Sequence, residues 1–340
     1  MKDLIILGNG IAGMTAALYA KRANLDFKIV GRDEYDFGQI ANAVMVENYP
    51  GVDPMPGFDL AMKIHDQLED NGIKIEEHEI LKIWPGITPE NRVDWRISYK
   101  DGEDKAKAVI YALGAKHRKL DCEIEEGIPI HYCALCDGNF YKGKDVAIIG
   151  GGDVAFTQAE YLSKICKNVV ILMCDENVTA SPSTYKRVKE IKNVNIEYNF
   201  PIKSMKKKDG RIYLFTEISN SALSFRYGPI VDGIFVAIGM KPNIEPISEK
   251  EIICPNGYIY TNDKCCSDRL GFFAAGDIRG KTTRQAITAA ADGAIAVNSV
   301  CDYLSRYWSE WFVYSVPRPT IFTSSTGIGV KRGEKRKEGG

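Results

Sequence analysis

Two strand-like runs in this chain are each followed by a glycine-rich turn and then by a helical stretch. The first run is Leu4–Leu7 and the second is Asp145–Ile149. Short apolar runs of this kind are typical of strands that are buried on both faces of a parallel sheet. A further apolar strand follows each helical stretch, at Phe27–Val30 and at Val169–Met173. The pattern therefore predicts two βαβ units and an α/β fold with two Rossmann-like domains.

The turn of the first unit, Gly8–Gly13, reads GxGxxG. In such a turn the first glycine allows the tight bend, and the second lets a pyrophosphate approach the backbone. The third glycine lets the helix pack on the strand. The turn of the second unit, Gly150–Ala155, has Ala155 in the last place, which the pattern permits. Two turns predict two nucleotide sites, the second one built on Gly150, Gly152, Asp153 and Ala155.

A pair of cysteines lies between the two units. Cys133 and Cys136 are separated by two residues, and Asp137 directly follows the second cysteine. Thiols one helical turn apart can form a disulfide that passes on two electrons, and a nearby carboxylic acid can protonate the thiolate that leaves. The alternatives are half of a zinc site for the cysteines and a turn or helix cap for Asp137. None of the four histidines has metal-ligand spacing with this pair, so we expect redox chemistry and no metal.

The composition is that of an ordinary globular protein, with 45% apolar and 26% charged residues. A net charge of −1 gives no electrostatic reason to expect nucleic acid or an acidic membrane as a partner. We find neither a signal peptide nor an apolar run of membrane-spanning length, so we expect a cytoplasmic protein. We expect most of the seven other cysteines to be buried as small apolar side chains. A long helix is expected over Thr282–Tyr307.

Several separated motifs over residues 1–308 resemble the low-molecular-weight thioredoxin reductase family of flavoproteins. These motifs are Gly8–Gly13, Phe37–Ile40, Val46–Gly51, Cys133–Gly138, Gly150–Ala155, Gly239–Asn243, Phe272–Arg279 and Arg284–Ala286. The resemblance implies an FAD domain of residues 1–115 plus 245–308. It implies that a central domain of residues 116–244, carrying the cysteine pair, is inserted in the FAD domain. Residues 309–340 follow as an aromatic and then basic tail.

The resemblance also implies FAD as the cofactor and assigns residues to it. The FAD-binding residues would be Gly8, Gly10, Ile11, Ala12, Gly13, Gly38, Gln39, Asn48, Asp277, Arg284, Gln285 and Ala286. Asp277 would bind the ribityl chain of FAD. Cys136 would face the flavin, Cys133 would attack the disulfide of a thioredoxin-like protein, and Asp137 would be the general acid. A homodimer is the expected assembly.

One segment departs from the family pattern. In the family, the second strand of the second unit ends in a histidine, followed by arginines that clamp the 2′-phosphate of NADPH. Here the corresponding stretch is Met173–Ala180, which contains Asp175 and Glu176, and no lysine or arginine occurs before Lys186. Two carboxylates would repel a dianionic phosphate that has no arginine fork to bind it. We therefore expect that NADPH is not an efficient donor.

Several alternatives for the donor and the reaction stay open. Asp175 lies 20 residues after Ala155 and could accept hydrogen bonds from a ribose diol, which would favour NADH, or it could be a solvated turn. Ferredoxin could replace the pyridine nucleotide. The chain could instead be a dithiol oxidase that uses oxygen, or a flavin-bound redox sensor without turnover. An aromatic ring of the tail, from Trp311, Tyr314 or Phe322, could stack on the flavin or pack on the protein itself.

Overall fold

The structure is a computed structural model that describes residues 1–43, 45–217 and 225–308, without the side chains of residues 217 and 225. The α-helices in these residues are α1 (Ile11–Arg22), α2 (Gly57–Asp70), α3 (Ala134–Asp137), α4 (Asp153–Leu162), α5 (Pro182–Lys189) and α6 (Ala286–Tyr307). Short 3-10 helices span Gly38–Asn42, Gly138–Tyr141, Lys250–Ile252 and Gly276–Ile278. None of the helices described here has the length and the hydropathy needed to cross a lipid bilayer.

Eighteen strands form four sheets within the described residues. The strands of the first half are β1 (Lys2–Leu7), β2 (Phe27–Gly31), β3 (Ile75–Glu77), β4 (Ile80–Ile87), β5 (Val93–Tyr99), β6 (Gly102–Tyr111), β7 (Ala115–His117), β8 (Glu123–Ile124) and β9 (Ile130–His131). Those of the second half are β10 (Asp145–Ile149), β11 (Asn168–Leu172), β12 (Val194–Glu197), β13 (Ile202–Lys208), β14 (Arg211–Glu217), β15 (Phe225–Val231), β16 (Gly233–Val236), β17 (Met240–Pro242) and β18 (Phe272–Ala274).

The first βαβ unit lies in a seven-stranded sheet of order β3-β2-β1-β6-β5-β4, with β18 paired to β6. Strand β1 runs parallel to both of its neighbours, β2 and β6. Its side chains alternate between two cores: Leu4 and Ile6 pack under α1 and α6, whereas Ile5 and Leu7 pack against Trp95 on the other face. Both faces of the strand are therefore covered, which is why its sequence is continuously apolar.

The second βαβ unit lies in a parallel five-stranded sheet of order β12-β11-β10-β16-β9. Helices α4 and α5 cover one face of this sheet through a core that includes Ile148 and Phe156. A four-stranded sheet of order β15-β14-β13-β8 contributes Met205 and Leu214 to the core on the other face. The predicted fold class, α/β with two Rossmann-like units, is confirmed by this architecture.

A two-stranded ribbon lies where the chain passes between the two large sheets. It consists of β7 and β17, which pair antiparallel, with Ala115 opposite Pro242. The side chain of Asn243 donates a hydrogen bond to the Leu113 carbonyl at 2.7 Å, so the outgoing and returning segments are tied together. The domain boundaries at residues 115/116 and 244/245 stay a prediction.

The long helix near the C-terminal end begins later than expected. Instead of Thr282, the first helical residue of α6 is Ala286. The side chains of Gln285 and Thr288 form a reciprocal capping box that satisfies free backbone groups at this helix start. Residues 282–285 are thereby left outside the helix.

Candidate active site

The two cysteines of the CxxC pair form a disulfide in the structure, with their Cα atoms 5.3 Å apart. Cys133 is the N-cap residue of α3, and its Sγ accepts a hydrogen bond from the Cys136 N–H at 3.1 Å. Both cysteines are half-buried. Because an N–H donor favours negative charge on sulfur, this contact would stabilise a thiolate at Cys133 once the disulfide is opened.

Asp137 is buried behind the disulfide, with 7% of its surface exposed. Its side chain makes no capping hydrogen bond to the 3-10 helix that follows it. One carboxylate oxygen, Oδ2, lies 3.1 Å from Nδ1 of His131, and the other, Oδ1, is buried with no hydrogen-bond partner among the described residues. The side chain is therefore not used as a cap.

The first glycine turn has the shape that a diphosphate site requires. Gly8 has φ +107°, and a Cβ there would overlap the backbone of Ala112. A Cβ at Gly13 would overlap the carbonyl of Gly8, so only glycine fits at both positions. Gly10 is the N-cap of α1, and no side chain caps this helix. The N–H groups of Gly10, Ile11 and Ala12 can therefore donate hydrogen bonds to a phosphate.

The turn that begins at Gly276 presents a buried carboxylate. Asp277 lies in the 3-10 helix after β18, and its Oδ1 is buried with no hydrogen-bond partner in the part of the chain that the structure describes. Burial raises the pKa of Asp277 above its ordinary value, although Lys281 and Arg284 counteract part of this effect. A buried acceptor without a donor fits a ligand hydroxyl group such as those of a ribityl chain.

Two other segments assigned to FAD from the sequence meet through their side chains. Asn48 Nδ2 donates a hydrogen bond to Gln285 Oε1 at 3.0 Å, although the residues are 237 positions apart. Ala286 follows as the first residue of α6. Arg284 stacks on Tyr258 at 4.1 Å and donates a 3.4 Å hydrogen bond from Nε to the Asp277 carbonyl. Side-chain contacts therefore link residues from segments that are far apart in the sequence.

Gly38 and Gln39 lie in a segment that approaches the first glycine turn. They begin a 3-10 helix, and Gly38 has φ +70°, which favours glycine. The carbonyl of Phe37, directly before them, lies 3.5 Å from the position that a Cβ of Gly10 would take. The segment is thus held close to the first glycine turn, as an FAD site would need.

Sequence reasoning missed one residue of this region, Asp292. Its carboxylate accepts a hydrogen bond from the Gly276 N–H at 3.0 Å and pairs with Lys281 at 2.7 Å and with Arg279. Asp292 is 6% exposed. It holds the turn that carries Asp277 in place. A lone carboxylate in the alanine-rich stretch of α6 was the signal that could have revealed it.

The second glycine turn is formed in the same way as the first. Gly150 has φ +147° and lies against the backbone of Ala237, while Gly152 is the N-cap of α4. Ala155 is fully buried. The Gly151 carbonyl accepts hydrogen bonds from the N–H groups of Thr179 and Ala180, at 2.9 and 3.1 Å. The loop after β11 is therefore attached directly to the glycine turn.

Two carboxylates assigned to the second nucleotide already have local partners. Asp153 Oδ1 accepts a hydrogen bond from the Ser181 N–H at 2.9 Å, which lowers the pKa of Asp153. Asp175 Oδ1 accepts one from the Asn177 N–H at 2.8 Å, and the Cys174 thiol donates to its Oδ2 at 3.5 Å. These contacts are those of a strand-end turn, and they leave Asp175 as an exposed negative charge beside the glycine turn.

The disulfide segment touches the predicted FAD region. Asn139, three residues after Cys136, donates a 3.3 Å hydrogen bond from Nδ2 to Oε2 of Glu47, the residue before Asn48. The cysteine pair and the segment around Asn48 are therefore neighbours in this structure.

Two further expectations concern the free cysteines and the aromatic residues of the C-terminal tail. Among the seven free cysteines only Cys166 and Cys265 are buried, and Cys174 is exposed, so the expectation that most would be buried was wrong. Cys174 follows the end of β11, where the chain emerges at the surface. The tail residues Trp311, Tyr314 and Phe322 lie outside the described residues.

Comparison with known proteins defines the class. Residues 2–293 match the family model of the pyridine nucleotide-disulphide oxidoreductases. Two glycine turns, a CxxC disulfide and a buried carboxylate oxygen without a partner among the described residues agree with this match. The chain therefore belongs to this class of oxidoreductase enzymes.

Individual relatives show to which family within this class the chain belongs. The chain is 35% identical over 310 residues to the thioredoxin reductase of Bacillus subtilis (strain 168), which covers 89% of this chain and 95% of the relative. It is 36% identical over 298 residues, 86% of this chain and 94% of the relative, to a 34.2 kDa protein in the rubredoxin operon of Clostridium pasteurianum. The crystal structure of thioredoxin reductase from Streptococcus pyogenes MGAS5005 aligns with a TM-score of 0.79 at 33% identity, covering 90% of this chain and 98% of that one. The chain is a member of the low-molecular-weight thioredoxin reductase family, and FAD is the cofactor of that family.

Proposed function

We propose that this chain is an FAD-dependent disulfide reductase that acts through Cys133 and Cys136 on the disulfide of a thioredoxin-like protein. We further propose that its electron donor is not NADPH. The single observation behind the choice of donor is the loop after β11, where Asp175 and Glu176 stand beside the second glycine turn and no lysine or arginine occurs before Lys186. NADH and a one-electron carrier such as ferredoxin are the remaining donors.

The residues that we assign to FAD would hold it in the following way. The N–H groups at the start of α1 would bind the diphosphate, and Asp277 would accept a hydrogen bond from the ribityl chain. Arg284, Gln285 and Ala286 would lie along the isoalloxazine. When bound, FAD supplies an electron pair to the Cys133–Cys136 disulfide.

A backbone N–H and a carboxyl group of the protein would then act on the negative charge that forms on the sulfurs when the disulfide opens. Opening the disulfide with an electron pair leaves both sulfurs as thiolates, and the Cys136 N–H would stabilise the one on Cys133 Sγ, 3.1 Å away. Asp137 would protonate the other thiolate, because its Oδ1 has no hydrogen-bond partner among the described residues. Cys133 would then attack the disulfide of the partner, and Cys136 would release the product by closing the CxxC disulfide again.

The electrostatics beside the second glycine turn support the choice of donor. A 2′-phosphate carries about two negative charges and usually needs an arginine fork. Here Asp153 and Asp175 add negative charge, and Arg187, the first arginine after the turn, forms a bidentate pair with Glu160. NADH lacks the 2′-phosphate and meets no such repulsion, and Asp175 retains lone pairs for a ribose hydroxyl.

An anaerobic titration of the bound flavin tests the donor. NADPH, NADH and reduced ferredoxin are added separately, and the loss of flavin absorbance is followed with each donor. We expect NADH or ferredoxin to bleach the flavin at concentrations where NADPH has no effect. Bleaching by micromolar NADPH would contradict the donor proposal. Fast peroxide formation from small dithiols, without reduction of thioredoxin, would instead identify a dithiol oxidase.

The same sample tests two remaining expectations. Light scattering after size exclusion gives the mass of the assembly, for which we propose a homodimer. If the protein binds thioredoxin stably in both oxidation states of the CxxC pair and shows no turnover with any donor, it is a redox sensor rather than a reductase.

A further inference from the structure

Three buried polar side chains form a chain of contacts behind the disulfide. His131 Nε2 lies 2.7 Å from the Tyr141 hydroxyl, and His131 Nδ1 lies 3.1 Å from Asp137 Oδ2. The three residues are 6%, 6% and 7% exposed, respectively. His131 and Tyr141 have no role in the proposed reactions of Cys133, Cys136 and Asp137.

The fold fixes all three residues from different elements. His131 lies in β9, opposite Phe235 of β16, and packs against the Phe235 ring at 5.3 Å. Tyr141 ends the 3-10 helix after α3, and its ring fills the space left by Gly233, where any Cβ would overlap it. Asp137 ends α3, one residue after Cys136. The imidazole of His131 therefore lies between Tyr141 and the carboxyl group of Asp137 and contacts both.

A protonated tyrosine hydroxyl is compatible with one direction for both hydrogen bonds, in which it donates to the imidazole. Burial raises the pKa of Tyr141 to about 12, with Asp137 and Asp232 adding to the effect, so its hydroxyl keeps its proton. Among the described contacts His131 Nε2 is the acceptor within reach of that hydroxyl. A neutral imidazole that accepts at Nε2 carries its proton on Nδ1. Nδ1 then donates to Asp137 Oδ2, and this leaves Oδ1 without a partner.

We propose that His131 is a positioning residue for Asp137: its Nδ1–H donates to Oδ2, so that Oδ1 is the atom that carries and delivers the proton. This inference rests on the proposed disulfide reductase function. In the step concerned, the S–S bond takes up the electron pair from the bound cofactor and breaks, so that both sulfurs become thiolates. The O–H bond at Oδ1 breaks and an S–H bond forms at one sulfur, while the other stays a thiolate. The resulting carboxylate is held by the Nδ1–H bond until it takes a proton from solvent.

The groups that face this chain of contacts come from several elements. Besides Asp137 and Tyr141, they are the Cys133–Cys136 pair at the start of α3 and Asp232 before β16, whose carboxylate is already held by the Asp145 N–H and by Arg211. None of these groups replaces the Nδ1–H donor at Oδ2. Removal of His131 therefore leaves Asp137 with both oxygens buried and no partner that the structure describes for either of them.

Four variants test the proposal with the FAD-loaded enzyme. His131→Phe removes the donor but keeps an aromatic ring, His131→Asn keeps an N–H near the Nδ1 position, and Tyr141→Phe removes the donor to Nε2. His117→Phe is the control, because His117 stacks on Tyr132 beside the CxxC pair without touching Asp137. We expect His131→Phe to lower kcat for reduction of the protein disulfide roughly 100-fold with little change in KM, and His131→Asn to recover most of the loss. Tyr141→Phe should give an intermediate loss.

Two readouts distinguish positioning from a merely structural role. First, the alkaline limb of the pH–rate profile should move to higher pH in His131→Phe but not in His131→Asn. Second, the ¹⁵N spectrum of the wild-type imidazoles, assigned with His131→Asn, should show Nδ1 of His131 as the protonated nitrogen. That second measurement needs neither turnover nor the cofactor.

The outcomes separate the two proposals. Wild-type kcat and pH profile in His131→Phe, or a proton on Nε2 in the neutral ring, would overturn the role of His131 and leave the reductase function intact. A chemically reduced wild-type enzyme that fails to reduce any protein disulfide would overturn the proposed function, and with it this inference.

Discussion

The N–H of Gly276 donates a 3.0 Å hydrogen bond to Oδ2 of Asp292, which anchors the turn that carries Asp277 to helix α6. The same carboxylate pairs with Arg279 and Lys281, so one buried negative charge holds two cations and a backbone donor. The cations are 11% and 15% exposed, so water screens them little. This cluster ties the turn that carries Asp277 to helix α6.

Asp292→Asn should therefore destabilise the protein and reduce its FAD content. Breaking a buried ion pair leaves uncompensated charge, at a cost of about 3 kcal/mol in the free energy of unfolding. Urea unfolding and the ratio of flavin to protein absorbance measure the two effects. Asp302→Asn, an exposed carboxylate of the same helix, is the control and should leave both unchanged. Equal stability of the two variants would mean that the cluster has no structural role.

Asp277→Asn should act in opposite directions on FAD binding and on the stability of the apo-protein. If the carboxylate accepts a hydrogen bond from FAD, its replacement weakens FAD binding roughly tenfold, since hydrogen bonds to charged groups are worth more than neutral ones. Titration of the apo-protein with FAD measures this loss. Asp263→Asn, an exposed carboxylate in the same domain, should bind FAD as the wild type does.

The pH dependence of the apo-protein checks the same residue. Burial raises the folded-state pKa of Asp277 above its ordinary value of 3.8, so folding favours its protonated form. The stability from this group is fully present below the unfolded-state pKa and is lost as the pH rises through the folded-state pKa. Apo Asp277→Asn should thus be more stable than wild type at neutral pH, and this gain should vanish in acid. A pH-independent difference would exclude titration of Asp277 as its cause.

A third prediction concerns the loop after β11. Replacing Cys174 and Asp175 with arginine in one variant should create the cationic clamp that the segment lacks. Because arginine binds phosphate with charge-assisted, bidentate hydrogen bonds, the affinity for NADPH should rise at least roughly tenfold. Affinity for NADH should not rise, since NADH has no 2′-phosphate. Equilibrium dialysis with each nucleotide measures the ratio.

The control for that variant is Glu190→Arg, which adds positive charge at an exposed position of the same domain. It should not change the preference between the two nucleotides. If the double variant discriminates no better than this control, the loop is not the site that determines the donor.

Local sequence patterns predicted the βαβ units because buried parallel strands and glycine turns depend on nearby residues. Leu4–Leu7 and Gly8–Gly13 are adjacent, and Gly13 is required by a contact within the same turn, with the carbonyl of Gly8. The start of α6 was predicted four residues too early, because the capping box of Gln285 and Thr288 competes with the helical pattern of the preceding residues.

Contacts between distant residues could not be predicted in this way. Asp292 looked like an isolated charge in an apolar helix until the fold brought Arg279 and Lys281 to it. His131 precedes the CxxC pair in the sequence, but its role depends on the position of Tyr141 and on the pairing of β9 with β16. Such contacts depend on tertiary structure, and no local spacing contains them.

The account depends most on Cys133 as the residue that attacks a protein disulfide, and a trapping experiment tests this directly. Reduced Cys136→Ser enzyme is mixed with a thioredoxin whose one remaining active-site cysteine carries a thionitrobenzoate leaving group. We expect rapid release of the chromophore and a mixed disulfide at Cys133, located by peptide mass spectrometry, whereas Cys133→Ser should react far more slowly. Equal rates in the two variants, or an adduct at a free thiol such as Cys174, would contradict the proposed function.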